Sequence, residues 1–267
     1  MFGQVTLRNT HRHFDEQKDS TPLSSSFQKN IEILTTLFDG CDDLIIHHTE
    51  IGSFSGCFLF LQGLVKQQAL YEIEQRLALH TEFPTSQDDL PSFIRKQFTL
   101  STIMEALTFH DVSTQILTGN TVLLLNEYEK AFVFHSSNDH GRIVSSPNSE
   151  RTVRGPQEGF VEDIEKNLSL IRRKIKTHSL KVEHLTIGEQ TNTQISVVYM
   201  KGIANEDIVK EVHKRLSRIK IDGILDSHYV ESMIKDAPKS PGTNCAKHRT
   251  TRSCMRWLTR REGGHSC

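Results

Sequence analysis

The chain is 267 residues long, 36% hydrophobic and 24% charged, with a formal net charge of −1. That profile suits a globular protein with room for one large core or two small ones. No apolar run approaches the ~20 residues that span a bilayer, and MFGQVTLRNTHRHFDEQKDS at the start lacks the apolar core of a secretory signal.

Residues 1–26 are polar and aperiodic, and are expected to form a disordered arm. SFQKNIEILTTLF then places Ile31, Leu34 and Phe38 on one helical face. DDLIIHHTEIG reads as a strand ending at Gly52, FSGCFLFLQGLV as a buried strand, and KQQALYEIEQRLALH as a helix facing inward with Leu70, Ile73 and Leu77. TLSTIMEALTFHD is expected to be helical, and GNTVLLLNEYEKAFVFHS to be a hairpin turning at Asn126–Glu129. A stretch rich in Ser, Asn, Gly and Pro follows, ending in SERTVRGPQEG, with the composition of a linker.

Beyond it, VEDIEKNLSLIRRKIK carries Val161, Ile164, Leu168, Ile171 and Ile175 on one face, with acids at its start and bases at its end, as the helix dipole favours. HSLKVEHLTIG and QISVVYMKGIA read as strands. NEDIVKEVHKRLSRI reads as a helix capped by Asn205, with Val209, Val212, Leu216 and Ile219 turned inward.

The order helix, strand, strand, helix thus occurs twice, and the copies superpose. Phe58–Gly63 matches Val197–Gly202 at an offset of 139, which continues through Leu70 and Val209, Ile73 and Val212, Arg76 and Arg215, and Leu77 and Leu216. Leu44–Gly52 matches Leu180–Gly188 at 136, both ending in Ile-Gly, and Asn30-Ile31 matches Asn167-Leu168 at 137. Shared order, spacing and glycine positions argue for one duplicated unit with small loop differences. The expected fold class is therefore α/β (α+β): two similar subdomains with helix-strand-strand-helix cores and mixed sheets flanked by helices. They span 27–137 and 160–238, with a linker at 138–159 and a basic tail at 239–267.

Constellations that carry chemistry are sparse. Gly155 and Gly159 precede a helix, whose N-terminus attracts anions, but Glu162, Asp163 and Glu165 would repel phosphate, and neither a Walker A nor a G-x-G-x-x-G motif is present. The 14 histidines are scattered. His47 and His48 are adjacent in a strand and point to opposite faces, and the Cys and His residues of the tail fit no C-x-x-C zinc spacing. No G-x-S-x-G motif or reactive-cysteine context occurs. The expectation is a protein that is not an enzyme, with no catalytic residue, no metal and no cofactor. In the cytoplasm, where it is expected to reside, Cys41, Cys57, Cys245, Cys254 and Cys267 would be free thiols.

The stretch VRGPQEGFVEDIEKNLSLIRRKIK, with ILTGNTVLLLNEYEKAFVF before it and LKVEHLTIG, VVYMKGIAN, VKEVHKRLSRIKIDGILDSHYVESMI and PKSP after it, resembles the A subunit of the spore-germination nutrient receptors, the GerA family. The resemblance covers roughly residues 27–241. It implies two cytosolic α/β subdomains preceding a multi-helix membrane domain, assembly with other germinant-receptor subunits in the inner spore membrane, and a role in transmitting nutrient signals. On this reading Arg154, Glu158, Arg172 and Arg173 are candidates for an interface with partner subunits. Gly155, Pro156 and Gly159 set linker geometry, and Phe160 and Asn167 pack or cap. For Arg172 and Arg173 the simpler account is solvated charge at a helix C-terminus.

The tail departs from the family pattern at Gly242. Lys239–Cys267 holds seven Lys or Arg against one acid, Glu262, and leaves a net −7 on the preceding 238 residues. Such a charge run with Trp257 would suit nucleic acid, but a simpler origin exists. Codons for Lys247 onward can be written AAA CAC AGA ACG ACC AGA T; moved by one base they read Asn-Thr-Glu-Arg-Pro-Asp, a family sequence. Leu258–Cys267 shifted likewise reads Leu-Leu-Glu-Gly-Arg-Val-Ala-Ile-Leu-Val, and the present frame then meets a stop after Cys267. The tail is thus expected to be a frameshift product, disordered, with no nucleic-acid partner. The chain would be a truncated receptor subunit with no direct membrane insertion, not competent to signal alone. The alternative is a soluble scaffold or regulator that binds intact receptor subunits.

Overall fold

The protein is described here by a computed structural model covering residues 21–52, 54–78, 84, 89–98, 103–138, 160–224 and 227–234. In the first module, helix α1 (Phe27–Leu37) leads into strands β1 (Leu44–Ile51) and β2 (Phe54–Leu61), then helices α2 (Gln67–Ala78) and α3 (Leu90–Gln97). Strand β3 (Ile103–Ala106), helix α4 (Phe109–Leu117) and the hairpin β4 (Thr121–Leu125) and β5 (Ala131–Phe134) complete it. The sheet order is β1-β2-β4-β5-β3, every ladder antiparallel. The alternation of side chains sends Cys57, Leu59, Val122, Leu124, Ala131 and Val133 to one face, beneath α1 and α4. It sends Phe58, Leu123, Leu125, Phe132 and Phe134 to the other, beneath α2 and α3. Apolar residues on both faces explain why TVLLL and AFVF read as unbroken hydrophobic runs.

The second module is smaller. Helix α5 (Ile164–Lys174), the antiparallel pair β6 (Leu180–Ile187) and β7 (Thr193–Met200), helix α6 (Glu206–Ser217) and helix α7 (Ser227–Ile234) make it up. Asp163 caps α5, accepting from the N–H groups of Glu165 and Lys166 at 3.0 and 3.2 Å. Asn205 caps α6 as expected, accepting from Asp207 N–H at 2.8 Å.

Three sequence expectations differ from the structure. Where mixed sheets were expected, every described ladder is antiparallel, and the one parallel contact is the isolated bridge between Cys41 and Val182. TLSTIMEALTFHD is not one helix: Ile103–Ala106 pairs with β5, and α4 begins only after Thr108. The Thr108 side chain accepts from Asp111 N–H while the Asp111 carboxylate accepts from Thr108 N–H, a capping box that fixes this start. The open edge of β5 outweighs the modest helical preference of Met-Glu-Ala, as tertiary pairing commonly does. Finally, residues 21–26 are docked rather than loose: Leu23 is buried, and its N–H donates to Leu107 O at 2.9 Å.

The duplication is visible in atomic detail. Asn30 Oδ1 accepts from Ser24 N–H and its Nδ2 donates to Ser24 O, at 2.9 and 2.6 Å. Asn167 does the same to Val161, six residues upstream, at 2.8 and 2.7 Å. Each asparagine clamps the chain entering its module's first helix. Gln62 N–H donates to Asp43 O as Lys201 N–H donates to Ser179 O, at 2.8 and 2.9 Å. Gly52 and Gly188 share positive φ angles of 61° and 90°, and Gly63 and Gly202 share 79° and 82°. The clamps differ in burial, Asn30 being buried and Asn167 half-buried. Asn30→Ala is expected to lower unfolding free energy by about 2 kcal/mol and Asn167→Ala by about 1 kcal/mol or less, as measured by urea denaturation.

Candidate functional site: the joint between the modules

The loop between α1 and β1, Asp39–Asp43, lies along the first residues of β6. Val182 N–H donates to Gly40 O at 2.9 Å, and Asp42 N–H donates to Val182 O at 2.8 Å. His184 N–H donates to the Asp42 carboxylate at 2.7 Å. The backbone of the first module is therefore hydrogen-bonded to a strand about 140 residues later in the chain.

At its centre lies a buried ion pair. Arg172, on the last turn of α5, donates through Nε and Nη2 to the two oxygens of Asp43 at 2.8 and 2.7 Å. Its Nη1 donates to Thr177 O at 3.2 Å, and both side chains are 1% exposed. Burial alone would lower the Arg172 pKa, but the Asp43 carboxylate outweighs it and the net shift is upward, so the guanidinium stays charged. The planar fork of arginine matches a carboxylate with two parallel hydrogen bonds, which fixes orientation as well as distance. Arg173 reaches the first module too, donating from Nη2 to Asn138 O. Gln62 Nε2 donates to Glu165 Oε1 at 2.6 Å, adding a third side-chain link.

A second polar group adjoins. Lys181 is 3% exposed, and Cys41 Sγ, 4.0 Å from its Nζ, is the partner the structure gives it. Burial lowers the Lys181 pKa. It also raises that of Cys41, against the pull of the Arg172 and Lys181 charges. Cys57 is pushed up to about 12 by burial. Both thiols are free and buried, so they behave as packing groups rather than nucleophiles. Glu183 accepts from the Tyr199 hydroxyl and lies 2.7 Å from His213 Nε2. Burial, followed by the Glu183 carboxylate, raises the Tyr199 pKa.

Lys181 is held in the joint without a carboxylate partner, so replacing it should stabilise the fold. Lys181→Met is expected to add about 1 kcal/mol to the unfolding free energy at pH 7. Between the lowered folded pKa and the ordinary lysine value of 10.5, the unfolded chain binds more protons, so wild-type stability rises with pH there. The variant should lose that rise in a pH series of melting curves.

The joint leaves a cleft of about 20 Å³ beside Asp43, Gln62, Leu168 and His184, room for about one water. A broader depression of about 600 Å³, lined by Phe27, His48, Thr49, Glu50, Ser55 and Gly56, is open to solvent and shares no lining residue with this cleft. Among the described residues no group of three or more His, Cys, Asp or Glu is placed to hold a metal ion. The arrangement joins the two modules through a charge pair and a few backbone hydrogen bonds.

Of the residues singled out in the sequence, Arg154, Gly155, Pro156, Glu158 and Gly159 lie outside the described residues. Phe160 is half-buried at the start of the second module, and Asn167 is the clamp on Val161. Arg172 requires correction: it is neither a solvated helix end nor a surface available to another subunit, because it is buried against Asp43 in the joint within the chain. Arg173 is half-buried and donates to Asn138 O. Asp43, Gln62, Lys181 and Glu183 were missed. A signal existed: at the duplication offsets Asp43 faces Ser179, and Arg172 faces Thr35. For this pair, charge present in one copy and absent from the other coincides with the place where the copies meet.

A family model described as Bacillus/Clostridium GerA spore germination protein matches residues 32–250. Spore germination protein KA of Bacillus subtilis is 29% identical over 224 residues, covering 83% of this chain and 41% of that protein. The uncharacterized membrane protein YfkQ of the same organism is 29% identical over 227 residues, covering 85% and 44%. The chain thus spans less than half the length of these curated relatives. In three dimensions it is similar to the crystal structure of the N-terminal domain of the A subunit of the Bacillus megaterium spore germinant receptor GerK3. That likeness has a TM-score of 0.67 and 25% identity, covering 90% of this chain and 89% of that one.

Proposed function

The chain belongs to the GerA family of spore germination proteins, and from that premise we propose that it is the paired-module N-terminal part of a germinant-receptor A subunit. In this reading it works in spore germination alongside other receptor subunits, without catalysis and without a cofactor. The observation that carries the reading is the extent of the structural likeness, nine-tenths of this chain against a domain taken from a receptor A subunit. The names of the relatives support a non-enzymatic role. Among the described residues no helix is long and apolar enough to cross a membrane. The intact protein would carry its membrane domain beyond these modules and reside in the inner spore membrane.

The joint gives the modules a task. A rigid link between them transmits displacement of one to the other, so a signal sensed at one module reaches the next element of the chain. Arg154, Gly155, Pro156, Glu158 and Gly159 lie on the connection between the modules and, in this proposal, set its reach.

In this proposal residues 239–267 are the out-of-frame product of a shift near Gly242, read from the codon argument on the tail. Resequencing the DNA across codons 236–268 and several hundred bases beyond tests this. A membrane-domain reading frame in the shifted phase is the expected result, and its absence overturns the frameshift. The receptor role has its own test. Spores carrying the frame-restored gene should respond to nutrient, and the Arg172→Ala version, accumulating normally, should not. Loss of response only in the variant supports the relay. If the frame-restored protein accumulates and changes nothing across a broad nutrient panel, the receptor reading is wrong.

A further inference from the structure

The offset between the two copies is 136 residues up to Gly52 and Gly188 and 139 from Phe58 and Val197 onward, so the second copy carries three extra residues in between. They fall in the turn between its strands. β1 ends at Ile51 and β2 begins at Phe54, whereas β6 ends at Ile187 and β7 begins only at Thr193. Gly188 and Asn192 take positive φ angles of 90° and 45° in this longer turn, a region open to Gly and tolerated by Asn. Asn192 N–H donates to Gly188 O at 3.1 Å and closes it.

The inserted residues grip the segment that joins α6 to α7. Glu189 N–H donates to Ile221 O at 2.9 Å, and the N–H groups of Gln190 and Thr191 donate to Asp222 O at 2.8 and 3.3 Å. In return Ile224 N–H donates to Thr191 Oγ1 at 3.2 Å, which also accepts from the Thr193 hydroxyl at 2.9 Å. Glycines make room for this threonine. A Cβ at Gly188 would fall 2.5 Å from Thr191 Oγ1, and one at Gly223 would fall 2.9 Å from Thr191 Cγ2.

The contact is polar and thin. Ile187 and Ile224 are buried, but Glu189, Gln190, Thr191 and Asp222 are exposed. Segments held by exposed backbone hydrogen bonds over little apolar area open locally, at less cost than global unfolding. Strand β6 carries the joint with the first module at its start, through Val182 and His184, and this turn at its end. The gripped segment leads into α7, whose far end is also held: Ile234 O accepts from Arg215 Nη1 at 2.7 Å.

We propose that Gly188–Asn192 is a latch on the segment Ile221–Ile224. Closed, it fixes where α7 begins; it opens by itself while both modules stay folded. Thr191 is its positioning residue. The use of the latch in a germinant receptor rests on the reading above, whereas the latch itself does not.

Residue-resolved amide exchange on the full chain tests this. In the wild type the amides of Glu189, Gln190, Thr191 and Ile224 should be protected, yet exchange at least about tenfold faster than those of β6, by a route that low urea does not accelerate. Thr191→Val keeps the shape and removes the acceptor, so it should speed these amides by about 5–10-fold and leave β6 unchanged. Thr191→Ser, which keeps the hydroxyl, should preserve the wild-type pattern, and Gly223→Ala should loosen the latch from its other side. Wild-type amides without protection would mean that no latch closes in solution. Exchange in step with β6 would mean that it never opens separately. Either result overturns the proposal, as does a Thr191→Val variant that exchanges like wild type. In spores carrying the frame-restored gene, Thr191→Val should alter the nutrient response and Thr191→Ser should not. A responding wild type with an unaltered Thr191→Val variant removes the latch from signalling. A silent wild type overturns the receptor reading instead and leaves the latch to be decided by exchange.

Discussion

Arg172→Ala is expected to lower the unfolding free energy by about 3–5 kcal/mol, because it leaves the Asp43 carboxylate buried with no counter-ion. Asp43→Ala should cost a similar amount by stranding the guanidinium. Domains of this size are stable by only about 5–15 kcal/mol, so either change removes a large share of the total. The pair itself is a different matter. Its Coulombic gain is offset by the desolvation of both charges, so Asp43→Leu with Arg172→Met should recover most of the loss. Urea denaturation of the three variants separates these effects, and amide exchange at Val182, whose N–H donates to Gly40 O, reports on the joint directly. If both single variants stay within 1 kcal/mol of wild type, the joint is not held by this pair. If the double variant is stable yet the restored receptor fails, the pair matters for geometry rather than for stability.

Gly63→Ala should cost about 2–4 kcal/mol through two separable causes. The residue has a φ of 79°, which costs an L side chain roughly 1–2 kcal/mol. An added Cβ would also sit 2.9 Å from Glu165 O on α5, closer than real Cβ contacts allow. The neighbour is backbone and cannot rotate away, so the modules must part slightly. Gly202→Ala, at the matching position with φ of 82°, supplies the conformational cost for comparison. The excess of Gly63→Ala over Gly202→Ala, read from melting curves, measures how tightly the first module presses on α5. Equal losses would mean that the contact yields without cost.

Much of this architecture was legible before any coordinates. Apolar spacing places α1, α2, α5 and α6, and alternating or continuous apolar runs place β1, β2, β4, β5, β6 and β7. The duplication follows from paired offsets, and the Asn30 and Asn167 clamps show why those asparagines recur: each satisfies both backbone groups of a residue six positions earlier. Segment 103–106 was misread because a four-residue strand has too little pattern to outweigh helical propensity. Its conformation is decided by the partner β5, far along the chain.

The site is where local reading fell short. Arg172 sits among Arg173, Lys174 and Lys176 at a helix C-terminus, where helix-dipole reasoning makes a solvated cation the natural reading. Nothing within a turn of it distinguishes the one arginine that turns inward. Local composition determined the elements, the two-copy plan and the scarcity of reactive groups, because helix and strand periodicities are short-range properties of the chain. Only the tertiary structure decided that Asp43 meets Arg172 and that Lys181 is buried. Those are relations between residues 129 to 140 positions apart, set by how two folded modules dock.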